Sequence, residues 1–209
     1  MEFRDLIAQL RNDSKSYHFC RDGLKGVASA ASVLQCVAML RENIVYCFDS
    51  DYHQAVADNI EEWYKNWKEE FNKCGIWVNE DSENKDAIII ITTLGALKPT
   101  EDGYVPYLSG MVTGKQRCFL FGEKGTRLLA CNHARVYSKN PNAELILTDH
   151  THGFVKGSYV EVTENASCYA EDAKVILGGS ARAFLASSCT FTVSSVGAKI
   201  ESIEHLGFQ

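Results

Sequence analysis

No Cys-x-x-Cys occurs among the eight cysteines of this chain, so neither a zinc-binding nor a dithiol redox motif is written in it. No stretch stays apolar long enough to span a bilayer. The segment Met1 to Asp5 lacks the charged start and apolar run of a secretory signal. Cationic charge is in deficit too: 21 Lys and Arg stand against 27 Asp and Glu, a net charge of -6. That balance disfavours a general polyanion binder, because affinity for a phosphate backbone comes from clustered cations. Gly178-Gly179-Ser180 is not a phosphate loop, since the G-x-x-x-x-G-K-[ST] spacing is missing. These absences leave a chain of 209 residues, enough for one large domain or two small ones. The expectation is a soluble, cytoplasmic protein in a reducing compartment, with free cysteines, no cofactor and no membrane partner.

What is present is a repeat. From Thr126 to Ile200, rungs of small-or-apolar, x, apolar, x, apolar recur every seven to nine residues. The first five are Thr126/Leu128/Ala130, Ala134/Val136/Ser138, Ala143/Leu145/Leu147, Thr151/Gly153/Val155 and Ser158/Val160/Val162. They continue as Ala166/Cys168/Ala170, Ala173/Val175/Leu177, Ala181/Ala183/Leu185, Cys189/Phe191/Val193 and Val196/Ala198/Ile200. Alternation within a rung marks a short strand, and the punctuation between rungs (Asn132-His133, Asn140-Pro141-Asn142, Glu171-Asp172) marks turns. No such rung can bury its face alone, so the units must stack into a β-solenoid with a shared core. Cys168 and Cys189 fall on inward positions, where a free thiol serves as a small hydrophobe.

The first third has a different period. Glu2 to Arg11, Gly26 to Arg41 and Asp51 to Lys73 each read as a helix, the last stopped by Cys74-Gly75. Val56, Ile60, Trp63, Trp67 and Phe71 form an aromatic stripe on that third helix, expected to pack into the protein's own core. Ile76-Trp77-Val78 and the β-branched run Ala87 to Thr92 then read as strands, the second covered on both faces. Residues 97–115 are irregular, either an insertion or imperfect first coils. The expected fold is therefore α+β. A helical cap, residues 1–75, would protect the open edge of a solenoid, residues 76–209, of either hand and about two strands per coil.

Two rungs per coil set alternate rungs 15 to 17 residues apart and align the outward side chains in columns. One face then reads Tyr137, Phe154, Tyr169, Phe184, Lys199, flanked by Arg135, His152, Ser167, Arg182 and Gly197. The opposite face reads Leu129, Ile146, Glu161, Ile176, Thr192. With coils about 4.8 Å apart, four aromatics make a ladder roughly 15 Å long. An outward apolar ladder is either covered, by the helices or a symmetric partner, or it binds something. The candidate binding residues are Arg135, Tyr137, His152, Phe154, Tyr169, Arg182 and Phe184. Their aromatic and arginine chemistry suits a protein partner or self-association, with glycans as the alternative and nucleic acid disfavoured by the net charge.

Catalytic and metal chemistry is thinly represented. Asp149, His150 and His152 offer ligand atoms within four residues, but His150 and His152 straddle a turn and no further ligand is implied. Cys131 and His133 are too close in sequence on a strand-to-turn segment to point together. Asn165-Ala166-Ser167 matches a glycosylation acceptor that needs a secreted context. Left-handed β-helix acyltransferases repeat every six residues with a histidine base, and this chain lacks that hexad. An enzyme is accordingly the least favoured class, and no catalytic residue or metal site is assigned.

The text Gly75-Ile76-Trp77-Val78-Asn79-Glu80 resembles the G-[IV]-x-V-[ND]-E strand of an uncharacterised group of small proteins found in gut bacteria and their phages or mobile elements. In that group a helical segment precedes strands written roughly N-A-x-V-x-[AV]. The matching rungs here are Asn132-His133-Ala134-Arg135-Val136, Asn142-Ala143-Glu144-Leu145, Asp172-Ala173-Lys174-Val175 and Ser180-Ala181-Arg182-Ala183. The resemblance, from Cys20 to Ile200, implies the helix-then-solenoid plan and no activity. If the source is a phage or mobile element, a protein that acts on a host component fits this plan by analogy.

Overall fold

The computed structural model describes residues 2–16, 26, 29–50, 52–80, 82–92, 97–100, 103–106, 114–121 and 126–205. The chain divides into two compact units, 1–76 and 77–208.

The first unit is helical: α1 (Phe3–Ser16), α2 (Val33–Glu42), α3 (Ile44–Asp49) and α4 (His53–Lys73). On α1, Leu6 and Leu10 share one face and are buried. Helix α2 begins later than the apolar period suggests, because Ser32-x-x-Gln35 writes a start signal there. Ser32 Oγ accepts the Gln35 N–H at 3.3 Å, and the Gln35 side chain accepts the N–H of Ala31, the residue before the cap, at 2.7 Å, a variant of the capping box. Helix α3, which the periodicity did not separate, buries Ile44, Cys47 and Phe48. The stripe on α4 packs as its spacing requires, with Val56, Ile60, Trp63 and Phe71 buried and Trp67 half-buried. Helix α4 stops at Cys74-Gly75. Gly75 takes a left-handed φ of 72°, and Arg41 Nη1 donates to the Cys74 and Gly75 carbonyls at 2.7 and 2.9 Å. A cation on the carbonyls that end a helix complements its dipole.

The second unit is the solenoid. Strands β1 (Ile76–Val78) and β2 (Ile88–Ile91) open one sheet, and β2 is buried along its whole length. A hairpin of β3 (Leu97–Thr100) and β4 (Gly103–Pro106) follows as a separate antiparallel pair, so the irregular stretch contains an insertion. The rungs are β5 (Arg117–Leu120), β6 (Thr126–Ala130), β7 (Arg135–Ser138), β8 (Ala143–Leu147), β9 (His152–Lys156) and β10 (Tyr159–Val162). They go on with β11 (Ser167–Glu171), β12 (Lys174–Leu177), β13 (Arg182–Ala186), β14 (Thr190–Val193) and β15 (Lys199–Ile203). Odd-numbered rungs join the first sheet, in order β1-β2-β5-β7-β9-β11-β13-β15, and even-numbered ones form a five-stranded sheet, β14-β12-β10-β8-β6. From β5 onward the rungs pair in parallel, two strands to a coil.

Inward side chains from both sheets fill one core, including Leu128, Val136, Leu145, Val160, Cys168 and Val175. Gly153 is part of that packing, since a Cβ on it would lie 2.4 Å from Leu147 Cδ1. The turns stack as well as the strands. Asn132, Asp149, Glu164 and Gly179, one per coil, all have left-handed φ, from 54° to 60°. In each successive pair the chain bonds down the stack: His150 N to Asn132 O, Asn165 N to Asp149 O, Ser180 N to Glu164 O.

Of the eight cysteines, Cys36, Cys47, Cys74, Cys118, Cys131, Cys168 and Cys189 are free thiols, while Cys20 lies outside the described residues. Burial pushes the Cys118 and Cys168 thiols far above the ordinary range, which leaves them as packing groups. Among the described residues, no helix is long and apolar enough to cross a membrane.

Candidate functional site: the outer face of the eight-stranded sheet

The register of the odd-numbered strands brings the predicted outward residues into line. Tyr137, Phe154, Tyr169 and Phe184 are consecutive partners, and Arg135, His152, Ser167 and Arg182 run beside them. The structure adds a rung that the repeat pattern had left out. Phe119 pairs with Tyr137, and Arg117 with Arg135, so the ladder has five rings. Neighbouring rings are stacked at 4.5, 5.0, 5.3 and 4.4 Å between centroids, each within 8° of parallel. Strand spacing explains this: rungs in register hold equivalent side chains about 4.8 Å apart, which is close to ring-stacking distance.

One end of the expected column needs correction. Lys199 does not follow Phe184; it sits opposite Arg182, and Glu201 takes the place after Phe184. The last rung is therefore Ala198/Ile200/Ser202, two residues on from Val196/Ala198/Ile200. A two-residue slip keeps every side chain on the same side of the sheet, so inside-outside alternation could not detect it.

Exposure varies along the ladder. Phe119 and Tyr137 are buried, while Phe154, Tyr169 and Phe184 are half-buried. Tyr137 therefore belongs to the covered part, and the accessible stretch is Phe154 to Phe184. Arg135 and Arg182 are exposed and have no carboxylate partner among the described residues. On the far side of the ladder Lys156 pairs with Glu171 at 3.2 Å.

The His/Asp turn group is dispersed rather than convergent. Asp149 Oδ2 accepts the Asn132 N–H at 2.8 Å, His150 lies over His133 with centroids 5.2 Å apart, and His152 Nδ1 is 2.6 Å from Ser167 Oγ. Burial first, then the positive charge of Arg135 and the neighbouring His133 and His150, hold the His152 imidazole below its ordinary pKa. Cys131 is half-buried, and burial and Asp149 raise its pKa, the opposite of what a nucleophilic thiol needs. Among the described residues no group of three His, Cys, Asp or Glu is placed to hold a metal ion.

No family model, curated protein or solved structure matches the chain.

A second feature, legible only in three dimensions, lies inside the helical unit. A cavity of about 100 Å³ there is lined by Leu6, Leu10, Val37, Trp63 and Phe71 among others, and its walls are almost wholly apolar. The sequence placed Leu6, Leu10, Trp63 and Phe71 on apolar faces but not Val37, and periodicity does not report where a core is underfilled.

Proposed function

We propose that this chain is a non-enzymatic interaction module that binds a protein partner, or a second copy of itself, through the outer face of the eight-stranded sheet. Phe154, Tyr169 and Phe184 are the anchors, with Arg135, His152 and Arg182 along one side. The observation that carries this reading is the half-buried part of the ladder, three adjacent aromatics with two arginines that have no ion-pair partner among the described residues. Aromatic anchors with arginine are the usual composition of an interface hot spot.

Ring geometry favours a protein over a glycan. A sugar or base binds by lying on a ring face, and here the ring faces lie against one another within 8° of parallel. The ring edges remain, and edges pack against aliphatic and aromatic side chains. The resemblance to gut-bacterial and phage proteins adds a finer expectation, that the partner belongs to a host cell.

The test is solution mass by light scattering together with capture from a host extract, using the unaltered chain and the Tyr169→Glu/Phe184→Glu pair. Loss of a partner or of self-association in the double variant, with its circular dichroism unchanged, supports the reading. Identical behaviour of the two proteins in both assays refutes it. Competition of the bound partner by oligosaccharide would instead favour a glycan-binding face.

A further inference from the structure

Among the described residues, β14 and β15 form the last coil of the solenoid. Strand β14 is outermost in the five-stranded sheet and β15 is outermost in the eight-stranded sheet. Each therefore presents a row of backbone N–H and C=O groups that no further strand among the described residues receives. The interior is uncovered at the same end. Phe191 continues the inward column of Val160 and Val175, and Val193 continues that of Val162 and Leu177. The earlier members are all fully buried, whereas Phe191 is 54% and Val193 45% exposed. Val196, in the turn that leads to β15, is also fully exposed. A layer of apolar side chains between two unpaired edges has the form of a surface that receives more strands.

The outward residues of β15 indicate what those strands are. Lys199 and Glu201 face outward opposite Arg182 and Phe184, and Ile200 between them faces inward opposite Ala183. A two-fold axis through Ile200 pairs β15 antiparallel with β15 of a second copy. Residues directly opposite each other in such a pair share a face. Lys199 then meets Glu201 of the second copy, and Glu201 meets Lys199 of the second copy, so both outward pairs are of opposite charge. Run through the solenoid from one sheet to the other, the same axis sets β14 against β14 and brings the two uncovered interiors together.

We infer that two copies of this chain dock end to end through β14 and β15, as a closed antiparallel dimer in which both sheets continue from one copy into the other. The aromatic ladder stays free in this arrangement, so the inference stands whether or not the ladder binds a partner. Head-to-tail stacking would set β15 against a different strand, forfeit the Lys199–Glu201 pairing and leave an open end to grow.

Charge reversal tests both the dimer and its register. Native mass spectrometry of the unaltered protein should show twice the chain mass. Lys199→Glu alone sets like charges opposite each other, and so does Glu201→Lys alone; each should halve the mass with unchanged circular dichroism. The combined Lys199→Glu/Glu201→Lys protein should recover the dimer, and mixing the two single variants should give the heterodimer. Val193→Lys, which puts a charge into the joined interior, should be monomeric. A monomeric unaltered protein, a dimer that survives both single reversals, or a mass that climbs with concentration without a plateau overturns the proposal. So does a dimer abolished by Tyr169→Glu/Phe184→Glu, which would place association on the ladder instead.

Discussion

Ser158 Oγ donates a hydrogen bond of 2.7 Å to the carbonyl oxygen of Asn140, at a corner of the solenoid where both residues are buried. The same hydroxyl lies 2.9 Å from Ser138 Oγ, and Ser138 Oγ accepts the Asn140 N–H at 3.2 Å. Because the Ser158 proton is committed to Asn140, Ser138 must donate to Ser158, so the three groups close a ring. Ser158→Ala removes a donor from a buried carbonyl and an acceptor from a buried hydroxyl. It should lower the unfolding free energy by about 1–3 kcal/mol in urea melts, with an unchanged m-value. A loss under about 0.5 kcal/mol would mean that the ring is not formed in solution.

The ladder predicts an order among aromatic substitutions. Tyr169 has a ring on either side, Phe154 at 5.3 Å and Phe184 at 4.4 Å, while Phe184 has an aromatic neighbour on one side only and Glu201 in the next rung. Each stacked pair contributes about 0.5–1.5 kcal/mol beyond area burial. Tyr169→Ala should therefore destabilise more than Phe184→Ala, by roughly one such contact. Equal losses, measured by thermal and chemical melts, would show that the stacking seen between rungs adds nothing to stability.

Gly179 stands at the turn position held by Asn132, Asp149 and Glu164 in the preceding coils. A Cβ on it would lie 2.7 Å from the Glu164 backbone nitrogen, and its φ is 58°. Neither the contact nor the backbone angle can be relieved by moving a side chain. Gly179→Ala should cost about 1–3 kcal/mol and loosen the last coils before the first ones. Hydrogen exchange would show faster exchange at β13 to β15 than at β5 to β8. Uniform protection in the variant would sink the prediction.

How much of this was legible in the sequence differs from element to element. The solenoid and its two strands per coil were, because alternation and turn residues repeat often enough for each rung to confirm its neighbours. The columns from Tyr137 to Phe184 followed directly from that repeat. The slip at Lys199 was hidden, since an insertion of two residues leaves inside and outside unchanged. Phe119 was missed for another reason: it lies before the rungs from which the columns were drawn, and its spacing of 18 residues to Tyr137 exceeds the 15 to 17 of the expected coil. The start of α2 depends on Ser32, a single capping residue, and the break before α3 on Asn43, which bonds back to Met39 to close α2; hydropathy periodicity weighs neither. The tilted ring pair of His133 and His150, and the bond between His152 and Ser167, needed the coil register before they could be placed.

That register also makes His152 a reporter of the ladder face. Burial, Arg135 and the imidazoles of His133 and His150 all disfavour its protonated form, so its folded pKa lies below the ordinary imidazole value. In the unfolded chain the same group titrates near 6.5. As pH falls through that value the unfolded state takes up its proton first. His152 therefore contributes a loss of stability that begins near the unfolded pKa, grows down to the folded pKa and is constant below it. An NMR titration of the imidazole Hε1 should show a midpoint below 6.5, and Arg135→Gln should move that midpoint upward by removing a nearby positive charge. His152→Gln should remove this component of the acid-side loss while leaving stability above neutral pH little changed apart from the Ser167 contact. A midpoint at or above the ordinary value, or one that ignores Arg135→Gln, would mean that Arg135 does not lie beside His152 as the strand register requires.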